Sequence, residues 1–384
     1  MLLFRTWLTS PLLLALFTAS VWADQSPSET SRDSAGTNAP QAISQETEDT
    51  AQSTDRPLAY FPFVFSTPET GFGGGAALIY TELVPKSDPI QRPNSIQLMG
   101  LYTAKEQSSF YCTTDLYPLK RRLQISSKAG YSNMPSLFYG IGNNTSIDSE
   151  EDLTIESAIA EISAQYLVYN SFRAGLAFIW RNVTILEPEA GGIIAERSVI
   201  GSRGGTSVGL GPEIEWDTRD KVFYPRRGLW CRLRATYFDS NLGSDFIYDR
   251  YRLDCRAYIP LASSHILANQ FYISSRTGSV PFYSLAKLGD FQRGILDTRH
   301  VDKSALVLQS EYRFPIYRRL LGAAFASFGQ VSPLVDEFRI DEFKFNAGGG
   351  LRFILNRQEM INIRLDFGAG ADGVEVYFQM LEAF

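Results

Sequence analysis

The sequence predicts an all-β fold: a transmembrane antiparallel β-barrel of sixteen strands. Three observations predict it. Segments with a two-residue side-chain period recur at even spacing from residue 58 onward. No stretch reaches the roughly 20 apolar residues of a spanning helix. The last twelve residues, GVEVYFQMLEAF, still alternate, with Val374, Val376, Phe378, Met380 and Phe384 on one face and Glu375, Gln379 and Ala383 on the other. A barrel that closes its last strand onto its first in lipid requires such a strand.

Residues 1–23 read as a secretory signal peptide: Arg5 is the lone charge, Pro11 to Phe17 is apolar, and Val21-Trp22-Ala23 suits cleavage before Asp24. Residues 24–57 hold seven acids against two arginines and no aromatic residue, a composition that cannot bury enough surface to fold. They read as a disordered acidic periplasmic tether. The chain carries −6, of which Arg5 supplies +1 and the tether −5, so residues 58–384 keep only −2. That balance gives no reason to expect nucleic acid. Export together with membrane strands places the chain in a Gram-negative-type outer membrane.

The sixteen expected strands span roughly 58–67, 72–83, 94–104, 107–117, 120–131, 154–170, 172–187, 202–217, 228–240, 246–260, 263–276, 304–315, 318–330, 343–354, 359–369 and 373–384. An even number returns both ends to the periplasmic side. The longer connections, 132–153, 188–201, 277–303 and 331–342, then all fall outside the cell, the expected asymmetry. Connections 84–93 and 217–227 break the trend on the periplasmic side.

Alternation assigns the faces. Tyr248, Arg250, Arg252, Asp254 and Arg256 share one face of 246–260, opposite Tyr251, Leu253, Cys255, Ala257 and Ile259. Arg232 and Arg234 share a face of 228–240, and Glu213 and Glu215 one of 202–217. A charge facing lipid costs about 2–4 kcal/mol near the midplane, so these side chains line the lumen. Cys231 and Cys255 fall on neighbouring strands, symmetric about Gly243; two small apolar residues facing lipid is the favoured reading, a disulfide the other. The acidic runs Asp148–Asp152 and Asp336–Glu342 read as solvated loop charge rather than a cation bridge to lipopolysaccharide phosphates. No metal-ligand spacing occurs and no cofactor is expected.

Four stretches together resemble the BamA/TamA/FhaC-type superfamily of outer-membrane assembly factors and two-partner secretion transporters. DTRDKVFYPRRG is similar to the family's turn between strands eight and nine: Asp217 and Asp220 suit capping of turn amides, Pro225 fixes a bend and Gly228 permits close backbone approach. GDFQRGILDTRH resembles the long sixth surface loop, whose Arg-Gly tip folds back into the lumen. The resemblance therefore implies that Arg293 and Gly294 enter the barrel. LQSEYRFPI resembles strand twelve, with Glu311 matching the acid that receives the loop arginine. AAFASFGQV resembles strand thirteen, but Ser327 stands where the family usually has an Asp; Asp366 is the substitute acid. FSTPETGFGGGAALIY and FYGIGNNT add to the likeness. It covers 58–384 and stops before the family's periplasmic POTRA modules.

The leading expectation is a barrel that assists membrane-protein insertion, translocation or lipid movement through a weak seam between strands one and sixteen. Pro62 removes a ladder donor there, Gly73 and Gly74 make the next strand pliable, and Phe384 lies at the far edge. Expected partners are outer-membrane lipids and an unfolded client barrel or secreted cargo, with pairing of two barrels left open. The alternative is a gated pore plugged by the Arg293 loop. Catalysis is not expected: only His265 and His300 exist, and neither has a serine partner in view.

Overall fold

A computed structural model describes residues 58–67, 71–82, 92–196, 199–357 and 359–384. The expected signal peptide and tether lie outside the described residues. Sixteen strands follow in chain order: β1 (Leu58–Thr67), β2 (Gly71–Thr81), β3 (Ser95–Thr103), β4 (Ser108–Leu116), β5 (Leu123–Phe138), β6 (Glu151–Tyr169), β7 (Phe172–Leu186) and β8 (Gly205–Asp217). The second half holds β9 (Gly228–Phe238), β10 (Tyr248–Ala262), β11 (His265–Gly278), β12 (Ser304–Tyr317), β13 (Leu320–Ser332), β14 (Lys344–Asn356), β15 (Ile361–Gly370) and β16 (Gly373–Met380). Each pairs antiparallel with its sequence neighbours in one continuous sheet. Only short 3₁₀ turns accompany the strands among the described residues.

The alternation sorts side chains by solvent. Along β8, Glu213, Glu215 and Asp217 are buried inward while Leu210, Ile214 and Trp216 stand exposed outward. Arg232, Arg234 and the charged face of β10 point inward, as their spacing requires. The outer skin, with Leu176, Leu233, Leu308, Phe353 and Phe367 exposed, suits hydrocarbon. Connections following β5, β7, β11 and β13 are long and mark the loop end; the opposite, turn end has links as short as Asn170-Ser171.

The largest boundary shift is at the end of β5. β5 runs to Phe138 and carries Pro135 opposite Thr154, where a break at residue 131 is expected. The β4 ladder stops at Asn133, so one edge of Pro135 has no partner and its missing donor costs little there. Register shifts at Leu167/Tyr169, Pro260/Ala262, Pro315/Tyr317 and Ile354/Asn356 all sit at the turn end. Two of them follow prolines, which cannot donate to a ladder.

The cysteine expectation is corrected. Cys231 opposes Cys255 in the β9–β10 ladder, and the two form a disulfide. Alternation puts both on the outer face, and direct opposition brings their Cβ atoms within bonding reach. Denatured but unreduced protein is expected to expose one reactive thiol, Cys112, and three after reduction, as counted by thiol titration.

The ends of the sheet differ from the edge-to-edge seam expected. Among the described residues no backbone ladder joins β1 to β16. In the β15–β16 register Asp366 faces Tyr377, so Tyr377 and Gln379 point inward and Phe378 and Met380 outward. Yet Phe378 packs against Phe61 in a tilted pair, with ring centres 5.1 Å apart. Phe61 opposes Ala77 and shares the inward side of β1 with Ala59, whose partner Ile79 is buried. Met380 and Leu381 pack with that same Ala59–Ile79 pair. The last strand therefore overlaps the first from inside. A cavity of about 560 Å³ lies along the overlap, lined by Phe61, Ile79, Tyr111, Lys128 and Phe378.

The strand does not continue to Phe384 as its alternation suggests. Leu381 takes φ +66° and turns the chain into the lumen. Phe384, 4% exposed, packs on Tyr258 and Ala268 of the opposite wall, and its carbonyl accepts a 2.8 Å hydrogen bond from Arg313. Met380 and Phe384 thus share alternation parity but not a face.

Candidate functional site

The connection 279–303 folds inward because its own sequence is apolar at intervals. Val280, Phe282, Tyr283 and Leu285 pack on Phe138, Ile179, Val183, Phe238 and Tyr248 of the wall. Deeper, Leu288 and Ile295 pack on Tyr272, Ala305, Val307 and Val331. Fully burying each such side chain favours the inserted state by about 1.5–3 kcal/mol. A two-residue ladder, Ala286–Lys287 with Val301–Asp302, holds the loop's base together.

At the tip, Arg293 sits between two carboxylates. It donates to Glu311 of β12 and Asp366 of β15, both at 2.7 Å, while its guanidinium lies 3.3 Å from the ring centre of Phe325. Both acids are fully buried. Glu311 also takes Arg313 at 2.8 Å and Arg352 at 3.2 Å. Asp366 takes Arg352 at 2.5 Å and Arg364 at 2.7 Å. Glu382, just past β16, completes the balance against Arg352 and Arg313 at 3.3 and 3.5 Å. Buried charges persist when paired and hydrogen-bonded on all sides. This set pairs every charge across four elements, the loop, the β12–β13 wall, the β14–β16 wall and the inward tail, with only Arg313 Nη1 and Arg364 Nε lacking a hydrogen-bond partner.

Ser327 does not touch Arg293. Its hydroxyl bonds Asn346 and receives Gln292 at 3.1 Å, so it holds the residue before the arginine. Asn346 in turn donates to the Arg293 carbonyl at 2.5 Å. Gly294 has φ +95°, and an added Cβ would lie 2.8 Å from the Gly368 backbone. Its N–H donates to the Tyr377 hydroxyl at 2.8 Å. Gly294→Ala is expected to destabilise the seated loop by at least about 1–2 kcal/mol from backbone conformation alone. Faster trypsin cleavage at Arg293 and Arg299 in micelles would register the change.

The rear of the loop is anchored separately. Arg299 pairs with Asp372 at 2.6 Å and His300 lies 3.4 Å from the same carboxylate. Burial disfavours the Asp372 charge, but His300 and Arg299 outweigh it and hold the carboxyl below its usual range. His265 meets the Tyr312 hydroxyl at 2.7 Å on the outer face. Neither histidine is hydrogen-bonded to a serine. Nor does any cluster of metal-ligating side chains occur among the described residues. Glu151 is not solvated as expected: it is buried, accepting the Ile193 and Ile194 amides at 2.7 and 3.1 Å.

The turn 218–227 closes the other end. Asp217 accepts Arg219 through its backbone N–H and both guanidinium contacts, and pairs with Arg92 at 2.9 Å. Asp220 accepts the Arg226 amide at 2.9 Å, Pro225 is buried, and Gly228 has φ +113° with Thr218 O only 2.4 Å from an added Cβ. The motif's role in the spacing reading is turn geometry alone. In the structure it launches Phe223 and Tyr224 into the lumen. Phe223 packs on Ala59, Ile79 and Ile361; Tyr224 packs on Ile266, Leu321 and Ile354, and burial pushes its hydroxyl up to about 12. The apolar trio Val222–Tyr224 inside an otherwise charged turn is the sequence signal for this.

Among the seam residues, Pro62 opposes Ala76 and is exposed outward. Gly73 and Gly74 are paired on both sides, with Phe65 and Thr103 and with Val64 and Tyr102. A Cβ at Gly74 would meet only ordinary contacts, whereas one at Gly75 would lie 2.3 Å from Gly100 O. The close approach is at Gly75. Phe384 lies far from the seam.

The profile described as the Omp85 superfamily domain matches residues 92–380, well over half of the chain. Among solved structures, the crystal structure of BamA from Haemophilus ducreyi lacking POTRA domains 1–3 superposes with a TM-score of 0.54. It is 12% identical and covers 85% of this chain and 70% of that one. Wzi, an outer-membrane protein involved in group 1 capsule assembly in Escherichia coli and a carbohydrate-binding barrel, gives a TM-score of only 0.31. It is 9% identical over 86% of this chain and 85% of that one, a likeness too loose to carry an argument. No curated protein matches the sequence.

Proposed function

The chain belongs to the Omp85 superfamily as an outer-membrane β-barrel, and from that premise we propose that it assists insertion or translocation of client polypeptides, or movement of lipid, at its β1–β16 seam. The observation carrying this reading is the overlap itself. Edge strands held by side chains, with no ladder between them among the described residues, present backbone edges that an incoming strand could extend.

Strand length adds a second support. β16 has 8 residues and β3 and β4 have 9 each, against 19 in β6 on the far wall. A tilted strand needs about 9–11 residues to span the hydrocarbon, so the seam side sits at the lower end of that range, with β16 just below it, and favours a thinner bilayer than the far wall. The partners are then outer-membrane lipids and an unfolded barrel or secreted chain. A pore reading requires the loop 279–303, the turn 218–227 and the inward tail all to move, since each projects into the lumen.

The test reconstitutes the protein in liposomes and follows folding of an added, urea-unfolded outer-membrane barrel by its heat-modifiable gel shift. Lipid flip and ion conductance are measured in parallel. Client folding or lipid flip faster than in empty liposomes supports the reading; conductance alone, with neither, contradicts it.

A further inference from the structure

Lumen charge is not balanced everywhere. Along β8–β10, and at Glu161 of β6, every inward-facing acid is occupied. Glu213 takes Arg232 and Arg234, Glu215 takes Arg232, Glu161 takes Arg234, and Asp254 takes Arg256. Three more arginines on the same wall have no carboxylate at ion-pair distance: Arg250 and Arg252 of β10 and Arg276 of β11. The ladder sets Arg250 directly opposite Arg276, and Arg252 opposite Arg234. Like charges facing each other across a ladder are destabilising unless something neutralises them.

Two of the three are also short of hydrogen bonds. Arg276 is 7% exposed; its Nη1 reaches the Ser274 hydroxyl at 3.0 Å and the Lys303 carbonyl at 3.4 Å, but its Nε is shielded and unpartnered. Arg250 lies 5.4 Å over the Phe238 ring, and its Nη2 is likewise shielded without a partner. The loop's Asp290 and Glu161 of β6 act on the cluster only through space, neither at ion-pair distance. Elsewhere in the lumen the chain supplies acids wherever arginines gather, as around Arg293. A buried guanidinium left unpaired is costly, so this cluster is built for an anion the chain does not provide.

We infer that Arg250, Arg252 and Arg276 form a binding site for a diphosphate-type anion in the loop-end half of the lumen. Residues two apart on a strand are about 6.6–6.8 Å apart, and neighbouring strands about 4.8 Å. One phosphoryl group bridges Arg250 and Arg276, and a second reaches Arg252. The planar guanidinium fork matches phosphate oxygens in pairs, and the neighbouring acids Glu161 and Asp254 are already paired with Arg234 and Arg256, so the three forks are open to such an anion. Arg250 lies two residues from the start of β10 and Arg276 two from the end of β11, both at the loop end. The anion therefore enters from the loop side, beside the 3₁₀ turn Phe282–Ser284.

The same chemistry is offered by a soluble pyrophosphate and by the phosphorylated sugars of an outer-membrane glycolipid. The test is calorimetric titration of the folded full chain in micelles at low salt with sodium pyrophosphate. Parallel titrations use orthophosphate and bisphosphorylated lipid A in mixed micelles. Saturable one-to-one pyrophosphate binding is expected, weaker for orthophosphate, and weakened about tenfold or more by R250Q and by R252Q, the loss of one charge-assisted contact. Lipid A binding that the same variants abolish assigns the lipid source; pyrophosphate binding without lipid A binding assigns the soluble one. Absence of saturable pyrophosphate binding, or affinity unchanged in both single variants, overturns the site. The single variants keep the test decisive should R250Q/R276Q fail to fold, which heat-modifiable migration reports.

Discussion

Arg293→Ala is expected to destabilise the folded barrel by about 3–5 kcal/mol, the cost of breaking a buried ion pair by removing one partner. The deletion leaves Glu311 and Asp366 in place, each fully buried and each having lost a 2.7 Å donor. Arg313, Arg352 and Arg364 still face the two acids and set the lower part of that range. The loop loses more than charge, because the guanidinium also covers the Phe325 ring. Thermal unfolding in micelles should show the loss as a lowered midpoint. Trypsin should cut at Arg299 well before the strands. Ser327→Ala serves as the contrast: its hydroxyl holds Gln292 and Asn346, not the arginine, so it should cost only about 1 kcal/mol.

A reducible crosslink across the overlap, Phe61→Cys with Phe378→Cys bridged by a short bis-methanethiosulfonate reagent, is expected to abolish seam-dependent activity and to restore it on reduction. The two rings face each other with centres 5.1 Å apart, so truncating both to cysteine leaves a gap that the reagent spans and a direct disulfide does not. Because Phe378 lies on the outward side of β16 and Phe61 on the inward side of β1, the bond ties the overlap and nothing else. The native Cys231–Cys255 bond lies on β9–β10, and Cys112 is replaced by serine to avoid mispairing. Client folding unchanged in the crosslinked protein would place the activity away from the seam.

Much of the barrel was legible in the alternation. All sixteen strands, their order and the inward face of β8–β10 follow from the two-residue period and the cost of a charge in lipid. Glu311 and Asp366 were readable as inward acids on separate strands. What alternation does not carry is how the two ends of a sheet meet. A period of two says which side a residue faces, not whether β16 lies beside β1 or inside it. It also cannot see the turn at Leu381, where one positive φ redirects Phe384 from the seam to the lumen.

The remaining misses share one cause: contacts that depend on register across distant strands. Asp366 is legible as the substitute acid for Ser327, but that Ser327 holds Gln292 and Asn346 instead depends on register. Arg250 and Arg252 were visible as lumen residues on the alternating face, but Arg276 opposite Arg250, and the lack of acids for all three, emerge only once the β6–β11 register assigns Glu161, Glu213, Glu215 and Asp254 to others. Phe223 and Tyr224 were hidden by reading their segment as turn chemistry alone.

Hydrogen–deuterium exchange of the folded protein in bicelles tests the seam most directly. If β1 and β16 are held by side chains, amides on their facing edges exchange within the same short window as exposed loops, while those of β5–β7 stay protected. Protection of the β1 and β16 edges equal to that of β6 would mean a continuous backbone ladder closes the barrel, and the proposed lateral route would fall.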